Sequence, residues 1–343
     1  MPHTHAHSQI PVPGDRGDQP KSRRLRRLAA TTGTLLLTVG GMVAVAASPA
    51  SAATYPGNVT YSRYVTSTDM YTMGCNQGKA SDAQGQHHQV VLLSFGDPGW
   101  INYGSWGAWD SYIGGFNSDA TIENNVKRYM QGFWNCTVPG SKSFMTVAPG
   151  VTNAGSGINS TTATANALGA AWGNMVKDLN AWITANGYGT QLTTFGAIDA
   201  EPSWGPPSYA LAWASGFMSA AGAVNYYDFG SADGCPPYGG CNNGWSQATE
   251  YQMAWGNATA IAIPQIYNNA QAQQWASISA WGNAHTSSGP ILWAAALSQY
   301  QACIDHSDPC TGADNTPLQS WQQLTSASGT APYYATEMSY QSN

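Results

Sequence analysis

The feature that most limits what this chain can fold into is a repeated alternation of short apolar runs with longer amphipathic ones. Strand-length runs span Val90 to Phe95, Ser143 to Pro149, Leu192 to Asp199, Val224 to Phe229, Ala258 to Ile266, Ile291 to Leu297 and Tyr333 to Met338. Between them, helical spacing covers Ile122 to Trp134, Thr161 to Asn186, Ser208 to Ala221, Ser246 to Trp255, Ala270 to Ala284 and Pro317 to Thr325. Pro317 stands at a first-turn position and Asn186-Gly187 makes a stop for the longest helix. Strands alternating with helices at this spacing imply parallel β/α units. With Val59 to Tyr64 as an eighth strand, followed by a helix around Asp69 to Ala83, the rhythm predicts an α/β fold, a single (β/α)8 TIM-type barrel over residues 53–343. An open doubly wound sheet is the alternative. No Pro/Ser/Gly linker or internal repeat marks a split into two domains.

The first 52 residues read as an export signal. A basic cluster (Lys21, Arg23, Arg24, Arg26, Arg27) precedes an apolar run from Leu28 to Ala47, and Ala50-Ser51-Ala52 is a small-x-small cleavage pattern. Thr31, Thr32, Gly33 and Gly40 interrupt the run, which falls short of the ~20 apolar residues of a membrane span. The paired arginines resemble a twin-arginine signal, but Arg26 and Arg27 displace its apolar position, so Sec export is expected over Tat. A secreted, extracellular chain with no membrane attachment after cleavage follows.

Removing the leader changes the charge. The whole chain has 12 basic and 18 acidic residues; the leader takes six of the former and two of the latter, leaving six against sixteen, a net of −10. Such a surface repels nucleic acid and anionic lipid. All six cysteines (Cys75, Cys136, Cys235, Cys241, Cys303, Cys310) follow the leader, and an even number in an exported chain suggests disulfides. Proximity pairs Cys235 with Cys241 and Cys303 with Cys310, leaving Cys75 with Cys136. A zinc site competes only through His306, because no Cys-x-x-Cys occurs, so neither metal nor cofactor is expected. Fourteen Trp and eighteen Tyr, with few charges, suit a neutral polysaccharide ligand, since aromatic faces stack on sugar rings; most of them will nonetheless be core.

In a parallel barrel, reacting groups sit at the carboxyl ends of strands. The fourth run ends Asp199-Ala200-Glu201-Pro202-Ser203-Trp204, and residues two apart on a strand face the same way. Two carboxyls held so close cannot both ionise cheaply, which predicts a protonated Glu201 beside an ionised Asp199, an acid for a leaving oxygen and a charge to steady the reacting group. Solvating a loop or capping a helix is the competing role. Asp228 is a candidate for positioning an acetamido group or a water, or for hydrogen-bonding the Gly230 to Gly234 loop. Glu337 would be the nucleophile of a retaining mechanism if it lay ~5 Å from Glu201, or a base for inversion at ~6.5 to 9.5 Å, unless it serves a helix start. Asp97, Gln265, Tyr267, Gln299 and Tyr300 end other runs and are candidate sugar ligands. Trp100, Trp204 and Trp245 fall in loops and are candidate stacking platforms, whereas Trp172, Trp182, Trp213 and Trp275 have helical spacing and belong to the core.

The Asp199-x-Glu201 ending resembles the site of family 25 muramidases and the tail of the family 18 chitinase motif. That resemblance implies a barrel glycosidase in which Glu201 is the general acid, Asp199 its partner, and an N-acetyl group assists. Thr194 and Ala197 stand where the chitinase series would have further aspartates, and no first-strand Asp matches the muramidases. The segments Ile198 to Trp204 and Asn225 to Cys235 also resemble actinobacterial secreted proteins with Asp-Ala-Glu-Pro-Ser-Trp and Phe-Gly-Ser-Ala-Asp-Gly-Cys. No Gly-x-Ser-x-Gly elbow and no phosphate-binding Gly-Lys-Ser/Thr loop occurs. The expectation is a monomeric secreted glycoside hydrolase acting on peptidoglycan or another N-acetylated or neutral polysaccharide. The alternative is a non-catalytic glycan- or cell-wall-binding protein; a protease or inhibitor has no motif behind it.

Overall fold

Every strand-length run of the sequence contributes to one parallel sheet, and the helices between them cover its outside. The computed structural model describes residues 59–64 (as backbone), 69–85, 88–110, 114–233, 235, 237, 240–307 and 309–340; the leader expected over residues 1–52 lies outside these. The first third holds β1 (Val59–Tyr64), α1 (Met70–Ala83), β2 (His88–Ser94), β3 (Asp97–Trp100), β4 (Trp106–Trp109), β5 (Phe116–Ser118) and α2 (Asp119–Cys136). The middle adds β6 (Phe144–Thr152), α3 (Gly155–Ile158), α4 (Thr162–Ala185), β7 (Leu192–Thr194), β8 (Gly196–Asp199), α5 (Pro207–Ala221) and β9 (Tyr226–Asp228). The last third holds α6 (Gln247–Tyr251), β10 (Ala260–Ala262), α7 (Asn269–His285), β11 (Ala295–Ser298), α8 (Tyr300–Asp305), α9 (Pro317–Ser328) and β12 (Tyr334–Ser339).

The main sheet is parallel, in the order β10-β9-β8-β6-β2-β1-β12-β11, with β7 attached to β6. The two outermost strands also meet. Beyond β10, Pro264 O accepts from Leu297 N of β11 at 2.9 Å and Ile266 N donates back to Leu297 O at 2.8 Å. Both faces of the sheet are buried, as parallel sheets require. Val91, Leu93, Val147, Ile198 and Tyr226 pack with the helices, while Val90, Leu92, Ala148, Ala197, Tyr227, Ile263, Leu297 and Met338 form a separate apolar cluster on the other face. Alternate residues of successive strands therefore share one interior.

Local signals explain the helix starts. The hydroxyls of Ser118, Thr161 and Thr316 accept the orphan N–H groups of Thr121, Thr164 and Gln319, and the Asn268 side chain does the same for Gln271. Three disulfides join Cys75 to Cys136, Cys235 to Cys241 and Cys303 to Cys310, so the first ties α1 to α2 and the others close short loops. Among the described residues no helix is long and apolar enough to cross a membrane.

Three local features differ from expectation. The run Leu192 to Asp199 is interrupted at Phe195, giving β7 and β8. The expected helix Ser246 to Trp255 shortens to α6 and runs into a π-turn over Gln252–Gly256. After β2 the chain forms a small antiparallel sheet, β3-β4-β5, from a Gly- and Trp-rich stretch with no apolar period to announce it.

Candidate active site

Register brings the acids to one end of the sheet. Asp199 ends β8 opposite Thr152 at the end of β6, and Asp228 ends β9 opposite Ile198. Glu201 follows two residues after Asp199, in a loop whose carbonyls are individually held. Asn153, almost fully buried, donates to Glu201 O at 3.0 Å and accepts from Glu201 N at 2.9 Å. Asn243 donates to Pro202 O, Asn159 to Trp204 O and the Trp245 indole to Gly205 O. Gly230 lets the β9 tip close over this loop, because a Cβ there would lie 1.9 Å from Ala200 O. The backbone of Glu201 is thus fixed before any ligand arrives.

The side chains of Asp199 and Glu201 converge on one amide. Gln265 Nε2 donates to Asp199 Oδ1 at 2.9 Å, and the same residue bonds the Glu201 carboxyl. Asp199 is 1 % exposed, whereas Glu201 is half-buried and so reaches solvent. Burial, then the neighbouring Glu201 and Asp228, push the Asp199 carboxyl well above the usual carboxylate range against the pull of Gln265. Burial also raises Glu201 to about 8, with Asp233 and Asp228 adding to the rise and the bonds from Gln265 and Ser231 opposing it. The sequence led us to expect one acid neutral and the other ionised. Instead burial pushes both carboxyls up, Asp199 as the more deeply buried of the two.

Asp228 lies on the other side of the strand. Tyr227 belongs to the sheet interior and Tyr226 packs with the helices, so alternation puts Asp228 on the helix side. It is fully buried, and its carboxyl accepts the backbone N–H groups of Gly230 (3.3 Å) and Ala200. Burial raises it to about 7 while those two donors hold it down. It therefore pins two loops, which is the hydrogen-bonding role the sequence offered beside the positioning of an acetamido group or a water.

Glu250, in the first helical turns of α6, completes the cluster and was missed in the sequence. It is fully buried, its Oε2 has no hydrogen-bond partner, and burial followed by Asp228 and Glu201 pushes it well above the usual range. From sequence it reads as an ordinary helix-start acid; only tertiary packing turns it inward. Asn153 was missed as well, because the apolar run was read as ending at Pro149 when β6 continues to Thr152. Burial pushes all four carboxyls up, and the charges that add to the rise in Asp199, Glu201 and Glu250 are those of other carboxyls. No three His, Cys, Asp or Glu among the described residues are arranged to hold a metal ion.

The remaining candidates divide. Tyr267 is buried beside the pair, its phenol pushed up by burial and then by Asp199 and Glu201. Trp204 is 37 % exposed, three residues beyond Glu201. Asp97 accepts from the Thr152 hydroxyl at 2.6 Å and, with half-buried Trp100, lines a neighbouring groove. Trp245 is not a stacking platform: it is buried in the core and spends its N–H on Gly205 O. Glu337 is not brought to the pair either. It accepts from Gln301 N at 3.1 Å at the start of α8, and burial raises it, with Asp305 rather than Glu201 as its acidic neighbour. Gln299 and Tyr300 belong to the same α8 region, Gln299 donating to Ala313 O and Tyr300 standing exposed. Trp172, Trp213 and Trp275 are buried, and Trp182 packs on the core surface.

No protein-family model matches this chain, and no curated protein matches it.

Proposed function

We propose that the protein is a secreted glycoside hydrolase built on a closed (β/α)8 barrel, with Glu201 as general acid. The observation that carries this reading is the convergence of Asp199 and a partly exposed Glu201 on the Gln265 amide at the carboxyl end of parallel strands. Closure of the barrel is supported by the bonds between the segment after β10 and β11, and by the interior cluster drawn from successive strands. A carboxyl that keeps its proton up to about pH 8 has one to give to a glycosidic oxygen at neutral pH. As the C–O bond breaks, that proton moves to the leaving oxygen and Glu201 becomes a carboxylate, which then takes a proton from the water that attacks the anomeric carbon and completes the hydrolysis. The Gln265 amide, shared with Asp199, is the hydrogen-bonding group at hand to steady that new charge. With Glu337 engaged at α8, positive charge at the anomeric carbon is left to a neighbouring N-acetyl oxygen of the substrate, in keeping with an N-acetylated polysaccharide. Trp204 and Tyr267 are the nearest candidates to flank the sugar. Export is supported by the three disulfides.

A binding-only reading draws on a different fact: the groove lined by Asp97, Trp100 and Trp109 includes none of the four acids in its lining. One experiment decides between them. Wild type and Glu201→Gln are incubated with a panel of purified glycans, and new reducing ends are measured alongside binding. Hydrolysis lost in the variant with binding retained supports the enzyme; no hydrolysis by wild type on any glycan it binds leaves the binder.

A further inference from the structure

A groove of about 590 Å3 lies between the β3–β4 hairpin and the loop after β6, a volume within the ~300–1,000 Å3 of small-ligand sites. Its lining includes Asp97, Gly99, Trp100, Trp109, Ser156 and Ser160. Trp109 is the telling residue, because it is 47 % exposed and yet held in place. Its indole lies across Gly99, where a Cβ would stand 3.0 Å from the ring, and it packs on Phe116 with centroids 5.3 Å apart. The ring is therefore held between Gly99 and Phe116 while much of it stays open to solvent. The far wall is pressed onto β3 with no side chain between, since a Cβ on Gly157 would lie 2.2 Å from Pro98 O. That close approach leaves Ser156 and Ser160 exposed on the same groove.

The chemistry of the lining selects the ligand. Asp97 supplies its only charge, and a chain of net −10 after the leader repels polyanions. A supported indole offers an apolar plane to a pyranose ring, while a carboxylate and two hydroxyls offer hydrogen bonds to the ring's rim. The groove is also tied to the acids. Asp97 is bonded to Thr152, Thr152 pairs with Asp199, and the next residue, Asn153, holds the Glu201 peptide.

We propose that this groove is a binding site for an uncharged polysaccharide chain, with one sugar stacked on Trp109 and its hydroxyls met by Asp97, Ser156 and Ser160. Its role in leading that chain to Glu201 rests on the hydrolase reading; the binding itself does not. Calorimetric titration with hexasaccharides of N-acetylglucosamine, glucose, xylose and mannose tests it, using wild type, Trp109→Ala, Trp109→Phe and Glu201→Gln. At least one hexasaccharide binds wild type and the hydrolysis-deficient Glu201→Gln, Trp109→Ala weakens binding by about tenfold or more, and Trp109→Phe restores most of the loss. The proposal is overturned if no hexasaccharide binds wild type, or if Trp109→Ala binds as tightly with an unchanged melting temperature. Turnover with Trp109-independent binding sinks the groove and spares the hydrolase; Trp109-dependent binding without turnover does the reverse.

Discussion

Glu201 and Glu337 are both acids near the carboxyl ends of strands in one parallel sheet, and the chain puts them to different uses. Glu201 shares an amide with a second acid, sits among four carboxyls and has its peptide locked by Asn153. Glu337 accepts a backbone N–H at the start of α8, where the helix end itself favours a negative charge. A strand-tip position is therefore not enough to make an acid reactive. Burial pushes both up; what distinguishes the two is their company, Glu201 standing with other carboxyls around a shared amide and Glu337 spent on the α8 backbone.

The largest expected effect is on turnover. Glu201→Gln should reduce hydrolysis by about a hundred- to ten-thousand-fold, and Glu337→Gln should leave it within about twofold. Equal losses in steady-state assays would erase the contrast between the two sites.

The next effect is on stability against pH. Glu201 and Asp228 ionise at about 8 and about 7 when folded, against their usual 4.5 and 3.8. The folded chain then binds more protons than the unfolded one across this window, so stability falls as pH rises from about 4 to about 8. The total is on the order of several kcal/mol, and calorimetric melting should give a Tm roughly 10 °C lower at pH 8 than at pH 5. Glu250→Gln removes one of the crowded acids and should flatten that slope. A Tm that holds constant over the window, or a slope untouched by the substitution, would show that crowding is not what separates the regions.

Asn153→Ala removes both bonds to the Glu201 peptide groups. We expect a loss of about 1–3 kcal/mol in denaturant unfolding and a fall in kcat larger than any rise in KM. A change in KM alone would mean that Asn153 shapes the binding surface rather than aiming Glu201. The smallest effect belongs to Glu337→Gln, where the hydrogen bond survives and only the charge at α8 is lost. About 0.3–1 kcal/mol is expected, read as a Tm shift of no more than about 3 °C.

Much of the scaffold was legible because it depends on local pattern. The apolar runs at Val90, Leu192 and Ile291 and the helices begun by Thr161, Asn268 and Thr316 follow from spacing and capping chemistry. The β3–β4–β5 sheet was not legible, since Asp97 to Ser118 is Gly-rich and takes its shape from packing on the loop after β6. In the site, Asp199 and Glu201 could be read from their spacing. Glu250 and Asn153 could not, because their roles depend on Asp228 and Glu201, brought from other segments of the chain.

By itself, the sequence announced the parallel β/α rhythm, the two short-loop cysteine pairs and the i, i+2 spacing of Asp199 and Glu201 at a strand end. All three are consequences of short-range periodicity and proximity along the chain. Tertiary structure alone decided which acids lose their charge, which tryptophans stay open and which carboxyl is spent on a helix. Those outcomes depend on desolvation and on partners brought from distant segments, and neither is written in any local stretch of residues.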